Sequence, residues 1–179
     1  MPLLTYEEAR PWAKAIRDEV LERRMPPWGA VKGFGEFRYD PSLSETDIET
    51  IANWVEGGAP NGEEAYLPAP PMLSQQNWTP PPAEKMSLQD GLTLDRDLAA
   101  LGIEPAGPMR AIAHKPDGTI EPLIWLRLFR KGQPEAYYFR KQVKLPKGTK
   151  IQMDGAAAFL LTCKGEACLG LTSGLKPAQ

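Results

Sequence analysis

The stretch Met109-Arg-Ala-Ile-Ala-His-Lys-Pro-Asp-Gly-Thr-Ile-Glu-Pro-Leu-Ile-Trp-Leu126 reads as two strands around a turn. Met109–His114 alternates weakly, and Lys115-Pro-Asp-Gly118 has the composition of a tight turn. Ile120–Phe129 is rich in β-formers, with Leu123, Trp125, Arg127 and Phe129 on one face and Ile124, Leu126 and Leu128 on the other. Lys131-Gly-Gln-Pro134 turns the chain, and Ala136–Val143 brings it back through Tyr137, Tyr138 and Phe139. Pro146-Lys-Gly148 precedes a strand at about 149–153, and Asp154-Gly155 precedes another over 156–163. Lys164-Gly-Glu-Ala167 leads to a last one at Cys168–Leu171. Five to seven short strands separated by turns predict an antiparallel sandwich or sheet.

Upstream the period changes. Thr5-Tyr-Glu-Glu8 is a capping-box pattern, and Ala9, Trp12, Ala13, Ile16 and Val20 recur at helical steps behind it. Pro11 lies inside that pattern and predicts a kink or a later start; Pro26 and Pro27 end the helix near Arg24. Residues 25–43 read as an irregular loop bearing Trp28, Phe34, Phe37 and Tyr39. Ser44-Glu-Thr-Asp47 caps a second helix with the stripe Ile48, Ile51, Ala52 and Val55, which Gly57-Gly58 and Pro60 close. Two helices with one apolar face each make a thin core. Residues 83–108 are ambiguous, with one short helix expected near 94–101.

The chain has 179 residues, 42% of them apolar, and 19 prolines, many of them between Leu67 and Pro82. Proline fixes φ and removes the amide donor, so that stretch is expected to run extended as a stiff connector. The expected fold class is therefore α+β. An incomplete helical segment (about 1–66) is joined by a proline-rich linker (67–91) to an antiparallel β-sandwich-like domain (92–175). A net charge of −2 supports no long-range field toward nucleic acid or anionic membrane, and no apolar run is long enough to form a transmembrane segment. Residues 1–10 lack the basic, apolar and small-residue regions of a signal peptide.

Met25 is the sharpest candidate for chemistry. A thioether is a soft ligand suited to haem iron, and here a helix end, two prolines and an aromatic side chain stiffen the backbone around it. A methionine at a helix end is more commonly core. The wider order of residues favours the ligand: Leu3-Leu-Thr-Tyr-Glu-Glu-Ala-Arg-Pro-Trp-Ala-Lys-Ala-Ile16, Arg24-Met-Pro-Pro-Trp28, Leu43-Ser44, Ile48, Ile51, Trp54-Val55 and Gly57-Gly-Ala-Pro-Asn-Gly62. Over about residues 2–65 this set closely resembles a bacterial family of haem c proteins, in which a mono-haem cytochrome c-like domain is often followed by a β-rich domain. The resemblance implies an electron carrier rather than a catalyst. Met25 would be the distal axial ligand of a haem c, Trp28 and Tyr39 are candidates for packing against it, and Phe34 and Phe37 are weaker ones. It also implies a periplasmic location and a redox partner protein.

The family places Cys-x-x-Cys-His shortly before the Leu-Leu-Thr-Tyr segment, and these 179 residues contain none. The economical expectation is a fragment, or a start at an internal methionine, that retains haem poorly and self-associates through exposed helix faces. The competing expectation is a natural loss of haem that leaves a non-catalytic β-sandwich binding or scaffold module. Cys163 and Cys168 flank four residues of an expected hairpin, so a disulfide and two buried thiols both remain open. The lone histidine, His114, fits a hydrogen-bonded surface residue better than a metal ligand. The β half is similar to the β domain of the same haem proteins, and faintly to copper monooxygenase sandwiches. The histidine and methionine ligand sets of the latter are absent, so no monooxygenase activity follows.

Overall fold

Among the described residues, seven antiparallel strands and two capped helical segments make an α+β fold whose larger part is β. The computed structural model describes residues 3–66, 78–130 and 134–163. They divide into two units: Met1–Trp28 with Pro41–Thr79, and Gly29–Asp40 with Pro80–Gln179.

In the helical unit, Thr5 caps α1 (Tyr6–Ala9), and the reciprocal bond from Thr5 N–H to the Glu8 carboxylate completes a capping box. Pro11 sits in a single 3-10 turn, Arg10–Trp12, before α2 (Ala13–Leu21). Three residues at the tighter 3-10 spacing offset the apolar stripe, and Trp12 is half exposed rather than aligned with Ala13 and Val20. Ser44 and Asp47 form a second capping box on α3 (Glu45–Glu56), whose end is held by bonds from Gly57, Gly58 and Ala59. The Tyr6 hydroxyl donates to Ala59 O at 2.8 Å, tying the first helix to the end of α3. Ala13, Val20, Ile48 and Ala59 are the buried apolar residues of this unit among those described. With so thin a core each cap matters. Ser44→Ala is expected to cost about 1 kcal/mol, read as an earlier loss of helical circular dichroism on heating.

The β unit holds two sheets. One has the order β1-β7-β2-β5, with β1 Ala83–Leu88, β2 Leu98–Pro105, β5 Tyr137–Leu145 and β7 Ala158–Cys163. The other has the order β4-β3-β6, with β3 Met109–His114, β4 Ile120–Leu126 and β6 Lys150–Gly155. The turn at 115–119 closes through Gly118 N to Lys115 O and Lys115 N to Thr119 O. Thr119 N–H also donates to the Asp117 carboxylate at 2.8 Å, which lowers that group's pKa below the ordinary value. Ile103, Leu123, Ile124, Leu126, Leu145 and Leu160 are among the fully buried side chains.

Three features depart from the sequence reading. The helix expected near 94–101 is absent: Leu98–Pro105 is the strand β2, lying between β7 and β5. Leu and Ala favour helix in isolation, but burial between two strands overrides propensity. Gly102 fits that position because an added Cβ would lie 2.5 Å from Tyr137 O. Second, Leu123 and Trp125 do not share a face. The β3–β4 register slips between Ala111 and Ile112, so Leu123 and Ile124 are both buried while Trp125 is exposed. Third, β1 lies inside the stretch read as linker, and residues 29–40, read as part of the helical segment, belong to the β unit. Residues 67–77 of the proline-rich run, residues 131–133 of the expected turn, and the hairpin and strand expected beyond Cys163 lie outside the described residues.

Residues 29–40 form a strap along the strand edges. Arg127 N–H donates to Gly29 O and Val31 N–H to Trp125 O, beside a bridge between Ala30 and Leu126 on β4. Further along, Arg38 N–H donates to Tyr138 O and Arg140 N–H to Glu36 O, around a bridge between Phe37 and Phe139 on β5. The strap thus pairs with an edge strand of each sheet. The β6 edge is covered separately, by bonds joining Leu92 and Leu94 to Ile151 and Thr149.

Candidate functional site

Arg23 takes a positive φ of 53° just past α2, and the chain then folds back on the helix end. Both Arg24 N–H and Met25 N–H donate to Glu19 O, at 2.8 and 3.2 Å. The Arg24 guanidinium grips the Glu19 carboxylate through Nε and Nη2 at 2.9 and 2.8 Å, and that hydrogen bonding raises its pKa. Met25 is therefore fixed at its backbone while its side chain is 51% exposed. Trp28 N–H donates to Pro26 O at 2.8 Å, which closes the Met-Pro-Pro-Trp turn, and Trp28 is partly buried. Leu4, Trp12 and Leu21 are also exposed on this unit.

The other aromatic candidates lie on the strap, in the β unit. Tyr39 is half exposed at a positive φ of 54°. Phe37 is 2% exposed, stacked on Phe139 at 5.6 Å and edge-on to Tyr137 at 5.6 Å. It is a core residue of the sandwich, and that packing accounts for it. Phe34 meets Trp125 edge-on at 5.8 Å. His114 lies on β3 with Nε2 2.9 Å from Gln152 Oε1, a hydrogen-bonded residue of a sheet surface. Among the described residues no group of three or more His, Cys, Asp or Glu could hold a metal ion. Cys163 ends β7 opposite Ala83, beside the small cluster of Leu101 and Leu161; Cys168 lies outside the described residues.

A second arrangement lies on the β unit, where sequence reasoning suggests basic residues beside aromatics but not which of them meet. Trp125 is 38% exposed on the outer face of the three-stranded sheet, with the Arg127 guanidinium 5.9 Å from its ring centre. The register sets Arg110 opposite both Trp125 and Asp154, and Arg110 bonds the Asp154 carboxylate through Nε and Nη2 at 3.1 and 2.8 Å. A groove of about 380 Å³ opens where the strap leaves β5, lined by Gly33, Gly35, Glu36, Glu121, Lys141 and Lys144 among others. Gly35 is at φ +86°, where an added Cβ would lie 2.5 Å from Leu123 O, so glycine lets the loop pass against β4. The signal was hidden by the bulge: strict alternation from Leu123 gives Trp125 the wrong neighbours.

No protein family, curated protein or solved structure matches this chain. No helix among the described residues is long and apolar enough to cross a membrane.

Proposed function

We propose that the helical unit is the methionine-bearing part of a c-type haem electron carrier, with Met25 as the axial ligand. The observation that carries this reading is the half-exposed Met25 side chain on a backbone held twice to Glu19 O. A buried core methionine would have no access to iron. The exposed Leu4, Trp12 and Leu21 offer apolar surface of the kind a porphyrin covers. The donor set fits in part. Met25 supplies a soft ligand, but there is no Cys-x-x-Cys-His, and His114 is engaged with Gln152 on the β unit. Covalent attachment and the second ligand must come from elsewhere, and haem c would supply the one-electron chemistry when bound. An extracytoplasmic location, a redox partner protein and self-association through the exposed helix surface belong to the same proposal.

The test supplies a haem-attachment segment in trans. A haem c peptide that carries its own Cys-x-x-Cys-His is added to the chain, and the thioether-to-iron charge-transfer band is followed. The band is expected with the natural chain and absent with Met25→Ala. If Met25→Ala gives the same spectrum, the axial assignment fails.

The second reading is a binding module built on the sandwich. It is favoured by the β unit's own buried core and by the exposed aromatic face around Trp125.

A further inference from the structure

We propose that the β unit binds a neutral saccharide chain across Trp125 and the adjoining groove. The inference is independent of the haem reading and gives the sandwich a ligand class.

Three observations converge. Trp125 offers a large, partly exposed ring, flanked by Phe34 at 5.8 Å and by the Arg127 guanidinium at 5.9 Å. The apolar C–H face of a pyranose stacks on such a ring. Opposite it in the register, Arg110 bonds Asp154 Oδ2 through Nε and Nη2, so charged donors and acceptors lie on the neighbouring strands. Hydroxyl groups that both donate and accept satisfy such a pair without breaking it. The groove is the third observation. Its 380 Å³ is in the range of small-ligand sites, and it is bordered by the same Gly33–Gly35 loop that carries Phe34 to Trp125.

The charge pattern selects the ligand class. Glu36 and Glu121 face the groove together with Lys141 and Lys144, and Glu121 is already paired with Lys115 at 2.7 Å. With Lys115, Lys141 and Lys144 set against Glu36 and Glu121, the charges nearly balance and the groove favours neither a polyanion nor a polycation. Pro122, Phe139 and Val143 add apolar wall between these charges, which suits the C–H faces of a sugar as well as its hydroxyls. A hydroxyl-rich neutral polymer meets donors and acceptors of both kinds.

The experiment is native affinity electrophoresis of the whole chain in gels containing hydroxyethylcellulose, laminarin, xyloglucan or amylopectin, with heparin as the anionic control. At least one neutral polysaccharide is expected to retard the chain, equally at low salt and at about 0.5 M salt, where surface charge effects are screened. Trp125→Ala is expected to weaken that retardation roughly tenfold, equivalent to about 1.4 kcal/mol. Glu36→Gln and Lys141→Ala, at exposed side chains, are expected to weaken it several-fold, and they serve where Trp125→Ala does not fold by circular dichroism. The proposal is overturned by no retardation in any neutral gel, or by retardation only in heparin that salt abolishes. Retardation left unchanged by a folded Trp125→Ala, or by both groove variants, overturns it as well.

Discussion

Phe37→Ala is expected to lower the unfolding free energy of the β unit by about 3–5 kcal/mol, the range for emptying a buried aromatic site. The effect is large because Phe37 is the strap's most deeply buried aromatic side chain. Its ring is 2% exposed and packs on Phe139 and Tyr137, and on either side of it backbone bonds at Glu36 and Arg38 join the strap to β5. Truncation leaves a cavity lined by two aromatic rings that β5 fixes in place, so little collapse can offset the loss. Phe34→Ala, at a partly exposed ring, is expected to cost much less. Urea unfolding followed by near-ultraviolet circular dichroism measures both. A loss below about 1 kcal/mol for Phe37→Ala, well under the cost of emptying a packed aromatic site, would mean that the strap is not part of the core.

Alkaline instability is the second large effect. Burial pushes the Tyr137 phenol up to about 12 from an ordinary value of 10.0, while a hydrogen bond from the Gly29 backbone pulls the other way. The folded state thus keeps a proton that the unfolded chain releases more easily. The contribution of Tyr137 is fully present below about pH 10, and it is lost as pH rises from there through about 12. A two-unit difference corresponds to about 2–3 kcal/mol over that window. Tyr137→Phe cannot release a proton at this site, so its stability should decline less steeply between the same limits. Parallel curves for the two proteins would show that the phenol is not held protonated by the fold.

Much of the fold was legible because turn chemistry and caps are local. Lys115-Pro-Asp-Gly118, Pro146-Lys-Gly148 and Asp154-Gly155 bracket β3, β4, β6 and β7 closely, and both capping boxes form where Ser or Thr precedes an acidic residue by three. What sequence could not show is set by distant partners. Leu98-Ala-Ala-Leu101 is good helix sequence that becomes strand because β7 and β5 flank it. The slip at Ala111/Ile112 turns Trp125 outward, and no local motif announces it. For the candidate site, sequence marks positions but not their surroundings. The loop after α2 suffices to single out Met25, while Phe37 looks like one more loop aromatic until the bridge to Phe139 is known.

That bridge has a bearing on biosynthesis. The strap emerges from the ribosome between two helices, yet its β5 partner is made about a hundred residues later, an unusually long closure for so small a protein. Until then Phe37 has no sandwich to enter. The nascent chain must carry an uncommitted apolar segment through most of its translation, a state in which early helix pairing or a chaperone would shield it from other chains.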